Sequence, residues 1–236
     1  MKVTIGDYGI HDVNRQLAPD IFTSRERLYI LSMDSATAMT AGAYSGGQHG
    51  DLGLTVVGTI ATGVDVRGNT KACVFDGTND YIEVPEQIEW VFDGDFTITL
   101  WVRFDTFNSN WWESAFVAQD EDGGPGNKWI FSYDPVSETT VLHINSPSIA
   151  GPVIQGDSWA AQAGVWYLVG LSRSGSTYTF YRDGISDGSA VDSTVIPDAV
   201  VPLTIGWAEG PRRFDGAIDD VRIYNRALSA AEIAAL

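Results

Sequence analysis

Phe96-Thr97-Ile98-Thr99-Leu100-Trp101-Val102-Arg103-Phe104 carries its large apolar residues Phe96, Ile98, Leu100, Val102 and Phe104 on one parity. Thr97, Thr99, Trp101 and Arg103 hold the other, so the stretch reads as a strand with one core face and one mixed face. The same alternation recurs in WYLVGLSRS (166–174), STYTFYRDG (176–184) and VPLTIGWAE (201–209). Ser174-Gly175 and Asp183-Gly184 supply tight-turn chemistry, so 166–190 is predicted to be a meander of three strands. From residue 72 onward alternation dominates, and 25 Gly and 9 Pro spread along 236 residues punctuate many short strands. The predicted class is all-β.

Toward the C-terminus, FDGAIDDVRIYNR changes parity. Phe214, Gly216 and Ile218 are even, whereas Val221 and Ile223 are odd. A strand switches face this way by inserting a residue, which predicts a bulge at Asp219-Asp220. The closing LSAAEIAAL has Ser229 and Glu232 in capping-box register, with Leu228 and Ile233 spaced as a hydrophobic staple, so a short helix should begin at Ala230. Residues 1–26 have scattered apolar side chains without sustained periodicity and read as an extended arm. A clear strand, LYILSMD, starts at Leu28.

Composition narrows the function classes. With 44% hydrophobic and 19% charged residues the chain can bury a large core and shows no signature of disorder. A net charge of −17, without any Lys/Arg cluster, disfavours nucleic acid. Such acidity serves solubility, and it also lets carboxylates converge on a hard cation such as Ca²⁺. The lone Cys73, in an apolar run with Ala72 and Val74, excludes an intrachain disulfide framework and a cysteine zinc site, and reads as a buried thiol. His11, His49 and His143 have no metal-ligand spacing. No stretch approaches transmembrane length, and the first residues lack the apolar region of an export signal, so membrane insertion is not expected.

Five ordered stretches make the chain resemble laminin G-like domains of the concanavalin A-like superfamily. They are Phe75–Pro85 (FDGTNDYIEVP), Phe96–Val102, Arg173–Gly184 (RSGSTYTFYRDG), Pro202–Gly206 (PLTIG) and Phe214–Ile233. Leu28–Asp34 is similar to the family's opening strand and acidic residue, and Ser45–Leu52 to its Gly-rich loop. The resemblance covers 27–236 and implies a jelly-roll β-sandwich of two antiparallel sheets. It also implies a structural Ca²⁺ held by Asp34, backbone near Gln48, and Asp219. Pairing of Asp219 or Asp220 with Arg222, or a turn cap, is the alternative use of those carboxylates.

The second acidic run, Gln119–Gly124, lacks EF-hand spacing and reads as a solvated loop. Among eight tryptophans, Trp129, Trp159 and Trp166 lie in strand-like settings and are assigned to the core. Trp111 and Trp112 in a polar loop, Trp207 where the family usually has a small residue, and Trp101 opposite its strand's core face are candidate ligand-binding residues. Exposed aromatic faces stack on sugar rings, and packing under a loop is the competing role for all four.

Catalysis is not expected. Glycosidases need two carboxylates about 5–9 Å apart, and no strand carries Glu-x-Asp-x-x-Glu; Glu86 and Glu89 fall in a connecting segment. No sialidase Asp box, Gly-x-Ser-x-Gly, His-Glu-x-x-His or phosphate loop is present. The expectation is a non-catalytic virion surface protein, a capsid decoration or a tail or fibre component. Residues 1–26 would attach it to a capsid or tail protein, and the sandwich would display a glycan-binding face, with a homo-oligomer possible. The alternative is a carbohydrate-binding module of a secreted or cell-surface protein, placing it outside the cell.

Overall fold

The computed structural model describes residues 27–31, 39–44, 54–68, 70–86, 90–107, 114–121, 126–148, 151 and 153–236. The expected arm at 1–26, together with Asp34, Gln48, Trp111 and Trp112, lies outside the described residues.

Among the described residues, fifteen strands and one helix follow in chain order. They are β1 (Arg27–Leu31), β2 (Met39–Tyr44), β3 (Leu54–Val64), β4 (Thr70–Asp76), β5 (Tyr81–Val84), β6 (Phe96–Phe104), β7 (Ser114–Asp120) and β8 (Lys128–Asp134). Then come β9 (Thr139–Asn145), β10 (Val153–Gln155), β11 (Trp166–Ser174), β12 (Thr177–Arg182), β13 (Ile185–Val191), β14 (Leu203–Ile205), β15 (Asp215–Tyr224) and α1 (Ala230–Ala234). One layer runs β10-β9-β8-β7-β14-β5-β3, with β2 also on β3; the other runs β4-β15-β6-β11-β12-β13, with β1 also on β15. β3 joins them, because Thr55–Val57 pair with β5 whereas Ala61–Val64 pair with β4. The crossing falls at Gly58, whose φ of +82° and contact with Asp80 Oδ1 leave no place for a Cβ.

The core lies between the layers. The even residues of β6, all buried, meet Val117, Phe131 and Leu142 from the opposite layer. Phe104 sits at its centre, with Phe107, Tyr133 and Phe214 rings 5.1, 5.2 and 5.4 Å away. The alternation read from 96–104 is therefore the packing pattern itself.

The three-strand meander forms as β11, β12 and β13. The capping box is complete: the Glu232 N–H donates to Ser229 Oγ and the Ser229 N–H donates to Glu232. Leu228 and Ile233 then clamp α1 against Leu168, Tyr181 and Tyr224 on the outer face of the β11–β15 layer.

Three expectations need correction. Trp166 is half-buried, with the Arg103 guanidinium 5.7 Å over its ring. The strand predicted at 201–209 stops at Ile205, because Gly206 adopts φ +85° and turns the chain away. Gln119 and Asp120 end β7 instead of entering a solvated loop. Gln119 is buried, donating to the Ala199 and Val201 carbonyls and accepting from Trp129 Nε1.

Candidate functional site

Two FDG sequences build the corner that carries the candidate site. Phe75-Asp76-Gly77 ends β4 and Phe214-Asp215-Gly216 begins β15, and Asp76 pairs with Asp215 and Phe75 with Gly216. Asp76 Oδ1 accepts the N–H groups of Thr78, Asn79 and Asp80, closing the turn. Asp80 then accepts the Thr59 N–H at 2.8 Å, tying the turn to β3. The result fixes the start of β5, where Ile82 and Val84 enter the core and Tyr81 and Glu83 face outward.

Residues 206–214 fold as a hairpin over that outer face. Ala208 N–H donates to the Arg212 carbonyl (3.1 Å) and Phe214 N–H to the Gly206 carbonyl (3.0 Å), with Trp207 and Arg213 bridged across it. Gly206 is required here: besides its positive φ, a Cβ would lie 2.6 Å from the Phe75 ring. The hairpin is pinned from one side. Ala208 packs on Ala115, Ala118 and Ile130. Glu209 binds Lys128 and Arg212, while its N–H donates to Asp120 Oδ2 (3.2 Å), and Asp120 itself lies 3.5 Å from Lys128 Nζ. Burial pushes the Glu209 carboxyl up, but Lys128 and then Arg212 outweigh it and hold the group below its usual range.

On the other side of the hairpin, Trp207 stacks on Tyr81 with ring centres 4.7 Å apart at 38°. The Trp207 Nε1–H donates to the Gly210 carbonyl, so the indole is oriented from within its own hairpin. Arg213 lies 5.1 Å from the Trp207 ring centre and 5.7 Å from that of Tyr81. Burial, then Glu83, raises the Tyr81 hydroxyl pKa, and Arg213 opposes them. Both rings are half-buried, and pair and cation each contribute on the order of 1 kcal/mol to holding the arrangement.

Of the other candidate aromatics, Trp101 packs against the cluster of Leu168, Tyr224, Leu228 and Ile233 beneath α1, which is the packed role of its two readings. Sequence reading singled out Trp207 but passed over Tyr81, Glu83 and Arg213. A signal for Arg213 existed: Trp207 and Arg213 stand at equal distances from Gly210, the tip of a Gly-Pro turn.

The bulge at Asp219-Asp220 is present, with the β6 register shifting between Asp219 and Arg222 and Asp220 at φ +53°. It lies where β4, paired as far as Ile218, hands over to β1, whose Leu31 pairs with Val221. Asp220 takes both Arg222 nitrogens at 2.8 Å, with Arg67 3.7 Å away. Asp219, 6% exposed, is left with a backbone N–H from Asp220; burial, then Asp220 and Asp65, push its carboxyl up to about 7. Burial, and then Asp219, also raise the Cys73 thiol, leaving it inert at neutral pH. Among the described residues no three His, Cys, Asp or Glu side chains group to hold a metal. Asp219 suits one ligand position for a hard cation, since it is a buried oxygen donor whose own ion pairing has gone to its neighbour.

Two antiparallel layers packed around one core, with β3 crossing between them, make a β-sandwich of the lectin-like kind. Residues 76–234 match the Laminin_G_3 family model, and the chain belongs to this family of the concanavalin A-like lectin/glucanases superfamily. No curated protein sequence matches it. Among solved structures it resembles domain 4 of AbnA, an extracellular arabinanase from Geobacillus stearothermophilus, in complex with arabinotriose. The two share 21% identity over 89% of this chain and 98% of that one, with a TM-score of 0.64. The binding domain of botulinum neurotoxin DC, in complex with rat synaptotagmin II, is 14% identical over 89% of this chain and 51% of that one (TM-score 0.65). Trypanosoma rangeli sialidase is 17% identical over 93% and 34% (TM-score 0.59). The chain thus spans nearly the whole arabinanase domain, half of the toxin domain and a third of the sialidase. These likenesses concern the fold.

Proposed function

We propose that the chain is a non-catalytic glycan-binding module whose ligand stacks on the Tyr81–Trp207 pair. One observation carries this reading: both rings are half-exposed, and Trp207, oriented by its own hydrogen bond on a hairpin fixed by buried charges, is held against Tyr81 on β5. Preorganised aromatic surface suits a sugar's C–H face because little side-chain entropy is lost on binding. The likeness to an arabinotriose-bound domain over nearly its full length supports a saccharide ligand. Trp207→Ala is expected to weaken binding to a responsive glycan, found on an array, by about thirtyfold (about 2 kcal/mol). Its melting temperature should fall by only about 4–8 °C, the loss of the ring and cation contacts, leaving the variant folded at the temperature of the assay. Undiminished binding by the variant would remove the site.

For its setting we propose the virion surface, with residues 1–26 as the attachment segment. The support is in the sequence, where that acidic, disulfide-free chain begins with a stretch of different patterning. A chain lacking residues 2–26 should melt as the parent does and fail to attach to particles; retained attachment would refute the role. We also propose Ca²⁺ as a structural ion with Asp219 as one ligand, supported by its burial at the end of β1. There the ion would replace carboxylate repulsion with oxygen coordination.

A further inference from the structure

Arg213 is the group at the ring pair that stacking on a sugar leaves unused. Its distances to the two ring centres, 5.1 and 5.7 Å, and the 4.7 Å between those centres make a nearly equilateral triangle. The cation therefore sits beside the ring pair and not on the far face of either ring. Stacking occupies the faces of a guanidinium and leaves its five in-plane N–H donors unused by the rings. Among the described residues none of these donors has a partner, and Nη1 is buried without an acceptor.

Seven other arginines are engaged. Arg222 and Arg67 meet Asp220, Arg103 meets Asp105, Arg182 meets Asp187, Arg212 meets Glu209, Arg226 meets Glu232, and Arg173 donates to backbone carbonyls. In a chain with 31 acidic against 14 basic residues, acceptors are plentiful. An arginine held by two aromatic rings with no carboxylate in contact is thus a cation positioned for a group from outside.

The rest of the molecule limits that anion. A net charge of −17 repels polyanions. Glu83, on the strand beside Tyr81, repels a second carboxylate while accepting from hydroxyls. We propose that this site takes a saccharide bearing a single carboxylate, of the uronic acid type. Its carboxylate would meet the Arg213 fork, its ring would lie on Tyr81 and Trp207, and a hydroxyl would reach Glu83. This rests on the glycan-binding reading and adds the ligand's charge to it.

The test uses matched ligands: oligosaccharides capped by one glucuronic acid, and the same compounds with that carboxylate reduced to a primary alcohol. Calorimetry on the full chain should show the acid binding about tenfold tighter, as one charge-assisted hydrogen bond would give. That gap should close in Arg213→Gln, reopen partly in Arg213→Lys, and shrink in high salt. Trp207→Ala should weaken both members. If the reduced sugar binds equally well and Trp207→Ala still weakens it, the charge assignment is overturned and the glycan reading survives. If neither member nor any neutral glycan binds, both fall together. A hexaglutamate peptide binding more tightly than the acid in an Arg213-dependent way would overturn the proposal in favour of a protein partner.

Discussion

Asp219→Asn is expected to raise the melting temperature of the metal-free protein at neutral pH, by about 10 °C. The wild-type carboxyl ionises in the folded state at about 7 instead of its ordinary 3.8, because it is buried and faces Asp220 and Asp65. A raised carboxyl pKa means that the folded state holds a proton the unfolded chain has released. Stability from this group is therefore full below the unfolded value and is lost as pH rises through the folded one. A gap of about three units corresponds to on the order of 4 kcal/mol, lost between about pH 4 and 8. For a domain of this size each kcal/mol moves the midpoint by about 2–4 °C. The amide keeps an acceptor for the Asp220 N–H and removes the charge. Glu232 acts in the opposite sense: its carboxyl, held at about 2 chiefly by Arg226, favours folding at neutral pH and loses that effect in acid. Comparing variant with parent across pH 5–8 in chelator isolates Asp219, and equal slopes would mean that the carboxyl is not raised. Added Ca²⁺ reverses the comparison if the ion binds here: the parent gains stability and the variant does not.

The same aspartate shows how far the sequence could be read. The parity change between Ile218 and Val221 located the bulge, since core-facing residues must be apolar on both sides of it. What parity could not say was which of two adjacent carboxylates Arg222 would take. That depends on which side chain the bulge turns toward Arg222, and Asp220, at φ +53°, is the one it meets. The capped helix was legible because Ser229 and Glu232 act locally. Its effect on Trp101 was not, because Trp101 and Ile233 meet only through tertiary folding. Trp207 stood out as a large ring where the resembled family usually has a small residue, but its partner Tyr81 lies far away in the chain, joined to it by the pairing of β5 with β14. Strand registers between distant segments are not written in local pattern, so the ring could be suspected and the site could not.

Lys128 marks the same boundary from the side of stability, and Lys128→Met is expected to lower the melting temperature by about 10 °C or more. In the sequence it is one lysine after a Gly-Asn turn; in the fold it is 1% exposed at the start of β8, between Asp120 and Glu209. Methionine fills much of the same volume, so the loss is electrostatic. Asp120 and Glu209 keep their burial without their shared cation, a change that costs about 3–5 kcal/mol. Arg212 still meets Glu209 and compensates part of that carboxylate's burial. Asp120→Asn placed in the Lys128→Met background should then recover part of the melting temperature, which a simple packing defect at position 128 would not allow. The effect should also reach the ligand. Glu209 fixes the hairpin that carries Trp207 and Arg213, so the variant should bind more weakly well below its melting temperature, where it is fully folded. Destabilisation without that loss would show that the hairpin holds its shape unaided, and that the buried charges serve the fold alone.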